Sequence, residues 1–271
     1  MKVIVLGQMG FCFGVKKALD LLEKLRNHYP HLYYTHEIVH NKIVQDQFKD
    51  YLIKFKNDHA FPLITCVHGL ELNHLGYLGL YFDITCPVIL NLVNIIKKNL
   101  SDSQVIIYGH INHQEIKYLA SIDSSIIITT DPSIEISSKK VFISCQSTAN
   151  EKLFLDFINS FIKKNPNIEV VTYNNTCKIV KSRLDLINKL FNGIILVLGD
   201  KSSANCNLLY NKAKELGNIV YIVADLCDLE SIKSELLKTS TVFLVSATST
   251  SVHTISELMI WLKNFSNDKP Q

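Results

Sequence analysis

The sequence predicts an α/β protein built on mostly parallel sheets, and three observations carry that reading. Short β-branched runs alternate with amphipathic helical stretches almost from end to end, as they do when strands are joined by crossover helices. Runs such as Ile194–Leu198 and Val242–Val245 are apolar throughout and read as buried strands. Of the 271 residues 47% are hydrophobic, enough for a substantial core in one to three domains.

The elements follow in order. Val3–Leu6 is a strand, and Val15, Ala18, Leu19, Leu22 and Leu25 form one apolar stripe at helical spacing, with Gly7–Gly14 and Cys12 between the two. Helices are predicted near Val88–Leu100, Asn150–Lys164 and Lys178–Leu190, and strands at Val105–Tyr108, Ile126–Thr129, Val141–Ser144 and Glu169–Thr172. The last third shows the alternation best: strands Ile194–Leu198, Ile219–Ala224 and Val242–Val245 each precede a polar loop and a helical stretch, such as Asn205–Leu216 or Val252–Leu262. No literal repeat or low-complexity linker is present. The β-loop-α theme still recurs in three blocks, divided near Cys86-Pro87 and near Cys177.

Composition excludes several function classes. With 28 basic against 25 acidic side chains, a broad cationic surface for nucleic acid or anionic lipid is not expected, although a local anion site stays open. Arg26 and Arg183 are the two arginines; abundant Lys and Asn read as a coding bias with no function attached. The apolar start is too short, and too soon broken by Gly7, Gln8 and Gly10, for a signal peptide. Runs such as Gly193–Gly199 and Thr241–Ala247 fall well short of the ~18 residues of a membrane span. Seven cysteines (12, 66, 86, 145, 177, 206, 227) lack secretory spacing and suit thiols or metal ligands in a reducing compartment. A soluble cytoplasmic protein is expected.

Cys12, Cys86 and Cys177 each stand where an extended segment gives way to a predicted helix. Helix-start amides favour thiolate, the metal-binding form. Each cysteine alone is better explained by burial, and neither a ferredoxin run nor a paired zinc motif is present. Histidines in polar settings come next: His40, His68, His110 and His113. His113 and Glu115 follow the strand Val105–Tyr108 and read as loop residues at a strand's carboxyl end, where a proton donor could sit. Two hydroxyl-rich loops, Gly199–Asn205 and Ser246–Ser251, serve equally as helix caps or phosphate cradles.

In order along the chain, Gly10-Phe11-Cys12-Phe13-Gly14-Val15, His36-Glu37-Ile38-Val39-His40-Asn41, His68-Gly69, Asp83-Ile84-Thr85-Cys86-Pro87, Gly109-His110 with His113 and Glu115, Gln146-Ser147-Thr148, Cys177 and Lys201–Asn207 form a set. That set resembles the signature of the hydroxymethylbutenyl diphosphate reductases, the LytB family that closes the methylerythritol phosphate route to isoprenoids. The resemblance spans nearly the whole chain. It implies three pseudo-threefold-related α/β lobes around a central iron–sulfur site, with residues 13–86, 87–176, and 1–12 plus 177–271 as the lobes. It further implies one 4Fe–4S cluster on Cys12, Cys86 and Cys177, with electrons from a ferredoxin or flavodoxin. By the same resemblance His40, His68 and His113 line the substrate cavity, Glu115 donates the proton, and Ser147 supplies a hydroxyl near it. Ser203, Asn205 and Thr250 match positions that hold the diphosphate.

The chain departs from the family pattern at five places. Ala204 stands where a second diphosphate-binding serine is usual, Thr250 replaces a serine, Ser147 a threonine, and Gln114 and Val252 each a proline. Cys66, Cys145, Cys206 and Cys227 match no ligand position and are expected to be packing residues. Two other readings stay open: a zinc or mononuclear-metal hydrolase of a phosphorylated compound, and a cluster-holding sensor that no longer turns over.

Overall fold

The computed structural model describes residues 1–55, 61–71, 79–190 and 193–267. The first stretch of chain carries β1 (Lys2–Val5), α1 (Phe13–Arg26), β2 (Leu32–Tyr34), α2 (Lys42–Phe48), β3 (Leu52–Lys54), β4 (Leu63–Ile64) and β5 (Tyr81–Phe82). Next come α3 (Pro87–Asn99), β6 (Gln104–Tyr108), α4 (Gln114–Ala120), β7 (Ile127–Thr129), β8 (Lys140–Cys145), α5 (Glu151–Lys164) and β9 (Glu169–Tyr173). The remainder holds α6 (Lys178–Ile187), β10 (Ile194–Leu198), α7 (Ala204–Glu215), β11 (Ile219–Val223), α8 (Leu226–Ser231), α9 (Lys233–Leu237), β12 (Thr241–Ser246) and α10 (Val252–Asn267).

Two compact units result: Met1–Lys16, Val39–Phe48 and Lys178–Gln271 in one, Lys17–Ile38 and Lys49–Cys177 in the other. The second unit contains two four-stranded sheets, ordered β3-β2-β4-β5 and β7-β6-β8-β9. Counted by place in the block, both run second, first, third, fourth. The sheet of the first unit is ordered β1-β12-β10-β11, which is the same arrangement if β10 is the first strand and the N-terminal β1 serves as the fourth. Every pairing in the three sheets is parallel. Three α/β lobes of one topology, the third circularly permuted, thus form without a sequence repeat, because strand order depends on apolar runs and crossover handedness rather than on particular residues.

Helices on both faces explain the unbroken apolar runs. Ile194, Leu196 and Leu198 of β10 pack with Leu258 and Leu262 of α10, whereas Ile195 and Val197 pack with Ile187 of α6 and with Leu209 and Ala213 of α7. In β6, Val105 and Ile107 meet Leu92, Ile96 and Leu119, and Ile106 meets Phe154, Phe157 and Phe161 of α5. In α1 the predicted stripe is buried at Val15, Ala18, Leu22 and Leu25 and half-buried at Leu19. Among the described residues no helix is long and apolar enough to cross a membrane.

The predicted strands and helices all occur, most with ends shifted by one or two residues and α10 running five residues past its predicted end. The sheet of β2 to β5 has no counterpart in the sequence reading: strands of two or three residues are too short to show a period.

Candidate active site

The residues singled out from the sequence all lie at carboxyl ends of strands, at equivalent places in the three lobes. First-strand loops or the helices they open carry His40 (after β2), His113 and Glu115 (after β6), and Ser203 and Asn205 (after β10). Third-strand loops carry His68 (after β4), Ser147 (after β8) and Thr250 (after β12), and fourth-strand loops carry Cys86 (after β5), Cys177 (after β9) and Cys12 (after β1). First and third strands are neighbours, so in the two sheets of the second unit their connections depart in opposite directions. That junction is where open α/β sheets bind ligands.

Each of the three cysteines is fastened by the same bond. The backbone N–H of Cys12 donates to the Thr248 carbonyl (3.0 Å), that of Cys86 to Val67 (3.0 Å) and that of Cys177 to Ser147 (2.8 Å), in every case a residue of the third-strand loop of its own lobe. Each also opens a helix. The Cys12 carbonyl accepts from Lys16 N–H (2.9 Å), Cys86 is the N-cap of α3 with Pro87 at its first position, and Cys177 directly precedes α6. All three are half-buried. Cys66, Cys145 and Cys206 are buried, and burial pushes each thiol up to about 12, so they do not ionise near neutrality. Cys227 corrects the expectation of packing: it is exposed on the short α8. Helix-start position and partial access fit the three helix-start cysteines to a metal–sulfur group, whereas burial fits the other three to none. Among the described residues no three His, Cys, Asp or Glu side chains are gathered as for a single metal ion.

Glu115 is not on a loop, as the sequence suggested, but in the first turn of α4, and it is fully buried (0% exposed). His113 starts that helix: its Nδ1 accepts the Glu115 N–H at 3.2 Å, which leaves the proton of a neutral ring on Nε2. Both carboxyl oxygens of Glu115 meet Ser147, whose N–H donates to Oε1 (2.7 Å) and whose hydroxyl donates to Oε2 (2.6 Å). Burial dominates over these two bonds and raises the Glu115 pKa from 4.5 to about 7. His68 lies edge-on to His113 with ring centroids 5.2 Å apart. The turn that presents His68 ends at Gly69, whose φ of +88° and close approach to the Tyr118 ring leave no room for a Cβ.

In the first unit Ser203 caps α7, its hydroxyl oxygen accepting the Cys206 N–H at 3.4 Å. The cap uses a lone pair and leaves the hydroxyl hydrogen for an anion, so capping and phosphate binding coexist. Asn205 is 4% exposed, and both its amide atoms lack a hydrogen-bond partner. Unmatched buried amides are costly and point to a missing ligand. Thr250 is buried, with its hydroxyl donating to the Leu198 carbonyl at 2.7 Å, a bond it must give up to serve a diphosphate as donor. A cleft of about 320 Å³ in this unit is lined by Lys42, Lys201, Asp200, Asp225, Asp228 and Thr250, among others. Three aspartates against two lysines make it a poor host for an anion, so the orphaned amide is the better pointer.

Sequence reasoning overlooked three residues as site members. Asn41 caps α2 through Oδ1 (Val44 N–H, 3.0 Å) and donates from Nδ2 to the Ser249 carbonyl at 2.6 Å. The Ser249 hydroxyl is buried without a partner, and Arg183 fastens the Cys12 loop. Asn41, inside the quoted His36–Asn41 segment, and Ser249, inside the hydroxyl-rich loop Ser246–Ser251, had a sequence signal; Arg183 had none.

Fold and site together define a three-lobed α/β protein that carries its chemistry on loops at parallel strand ends. The sequence model of the LytB protein family matches residues 3–263. The chain belongs to that family. The 4-hydroxy-3-methylbut-2-enyl diphosphate reductase of Thermotoga maritima is 27% identical over 271 aligned residues, covering 97% of this chain and 96% of that protein. The enzyme of that name from Petrotoga mobilis is 30% identical over 233, covering 79% and 81%. Among solved structures, the E-1-hydroxy-2-methyl-but-2-enyl-4-diphosphate reductase from Plasmodium falciparum matches with a TM-score of 0.86 at 21% identity, over 97% of this chain and 88% of that one. A structure of (E)-4-hydroxy-3-methyl-but-2-enyl diphosphate reductase matches with 0.67 at 22% identity, over 97% and 100%. At such identities the structures establish a shared fold.

Proposed function

We propose that this chain is an iron–sulfur reductase that removes the hydroxyl of 4-hydroxy-3-methylbut-2-enyl diphosphate, giving isopentenyl and dimethylallyl diphosphate, the last step of the methylerythritol phosphate route. It works in the cytoplasm with one 4Fe–4S cluster on Cys12, Cys86 and Cys177, takes electrons from a ferredoxin or flavodoxin, and has lobes at 13–86, 87–176, and 1–12 plus 177–271. The names of its relatives support the reaction. The observation that carries the reading is the common hydrogen bond on the three helix-start cysteines, 2.8 to 3.0 Å in each lobe and made by none of the other four.

Two electrons and two protons enter, and the hydroxyl leaves as water. When bound, the cluster supplies electrons singly and a Lewis-acidic iron. The chain's own residues do the rest. Glu115 holds a proton close to neutral pH because burial lifts its pKa to about 7, and Ser147, bonded to both carboxyl oxygens, is the group through which that proton reaches the cavity. His113 offers Nε2–H to the substrate, with His68 beside it and His40 on the first-lobe loop. Ser203 and Asn205 hold the diphosphate, together with Thr250 once it releases Leu198, through charge-assisted bonds worth roughly 1.5–3 kcal/mol each.

Anaerobic reconstitution with iron and sulfide tests the reading. Expected are a brown chromophore, oxidation of reduced viologen only when the diphosphate substrate is added, and loss of iron in Cys12→Ala, Cys86→Ala and Cys177→Ala. Colourless protein with stoichiometric zinc would favour a hydrolase instead, and a loaded cluster without dye oxidation would favour a sensor.

A further inference from the structure

We propose that Arg183 is a positioning residue that sets the Cys12 loop and ties it to the loop carrying Thr250; the inference rests on Cys12 being a cluster ligand. The three cysteine loops differ in length. Three residues separate β5 from Cys86 and three separate β9 from Cys177, whereas six separate β1 from Cys12. The two short loops are closed on themselves. Asp83 Oδ1 accepts the Thr85 N–H at 2.8 Å, and Asn174 Oδ1 accepts the Thr176 N–H at 3.0 Å, an Asx turn ending one residue before each cysteine. The long loop, Leu6 to Phe11, has no Asp or Asn to make such a turn and contains Gly7 and Gly10 at φ of 66° and 95°.

Its fastening comes from α6. Arg183, only 4% exposed, donates from Nη1 to the Ser246 carbonyl at 2.7 Å and from Nη2 to the carbonyls of Gly10 at 2.9 Å and Gln8 at 3.4 Å. Beside these bonds the Gly10 N–H donates to Ser246 Oγ at 2.9 Å and the Cys12 N–H to Thr248 at 3.0 Å. One guanidinium thereby joins the Cys12 loop to the end of β12, where the loop bearing Ser249 and Thr250 begins. Several fixed donors in a plane suit three carbonyls, whereas a lysine presents a single point charge. The positive charge, two residues from Cys12 through Gly10, also favours the more negative, reduced form of an anionic cluster.

Iron release to a chelator under anaerobic conditions, and the midpoint potential, test this on the reconstituted protein. Arg183→Lys keeps the charge and loses the fork; Arg183→Met loses both. Both should release iron roughly ten to a hundred times faster than wild type, the usual consequence of removing support behind a metal ligand. Only Arg183→Met should move the potential markedly negative. If Arg183→Met does not fold, Arg183→Lys, which keeps the buried charge and loses only the fork, decides the matter. Wild-type release from Arg183→Lys, while Cys12→Ala loses its iron, overturns the role of Arg183 alone. Iron retained by Cys12→Ala overturns the ligand reading itself.

Discussion

Replacing Glu115 by glutamine should change how the stability of the protein depends on pH, and the size follows from burial. The Glu115 carboxyl is fully enclosed; desolvation raises its pKa from 4.5 to about 7 against the opposing pull of the two Ser147 bonds. A pKa raised by folding means that the native state prefers the protonated form. The group's contribution to stability is therefore complete below pH 4.5, shrinks as pH rises, and is gone above about 7. From 4.5 to about 7, at roughly 1.4 kcal/mol per pH unit, the loss comes to about 3 kcal/mol. The glutamine side chain of the variant is neutral throughout and has no such loss. Urea unfolding of iron-free wild type and Glu115→Gln, measured from about pH 4.5 to 8, should give curves that diverge by about 3 kcal/mol in favour of the variant at the alkaline end. Ser147→Ala, which removes one of the bonds that favour the carboxylate, should carry the divergence to higher pH. Parallel curves for wild type and Glu115→Gln would show that Glu115 is ionised and solvated in the native state, and the acid role assigned to it would fall.

Three further outcomes follow from single residues. Asn205→Leu removes an unmatched buried amide and should stabilise the ligand-free protein by about 1 kcal/mol while raising KM at least about tenfold; a variant less stable and unchanged in KM would contradict the assignment. Ala204→Ser restores a hydroxyl in the first turn of α7 and should lower KM by a factor equivalent to roughly 0.5–1.5 kcal/mol, so steady-state kinetics showing no fall would refute it. Gly69→Ala puts a Cβ at φ +88° and against the ring of the buried Tyr118, and thermal melts should show a loss of about 2–5 kcal/mol; wild-type stability would mean that Tyr118 yields freely.

How much of this was legible in the sequence differs by residue. Apolar runs such as Ile194–Leu198 announce parallel strands because a strand covered on both faces has no polar side to display. Loop positions of Cys12, Cys86 and Cys177 were legible as well, since each stands at a local change from extended chain to helix. Glu115 was misplaced by one turn of helix: the cap on α4 is a histidine rather than the Ser, Thr, Asp or Asn that marks a helix start. The first-lobe sheet went unseen because its longest strands have three residues.

The sequence by itself determined the α/β class, the three-block rhythm and the residue types set at the strand ends, because these depend on local periodicity and on neighbours a few positions away. Only the tertiary structure decided what lies far apart in the chain: the fourth place of β1 beside β12, the contact of Glu115 with Ser147 32 residues on, and the grip of Arg183 on Gln8 and Gly10 more than 170 residues before it. Burial is a property of the whole packing and has no local signature. It is burial that lifts the Glu115 carboxyl to about 7 and leaves the Asn205 amide without a partner.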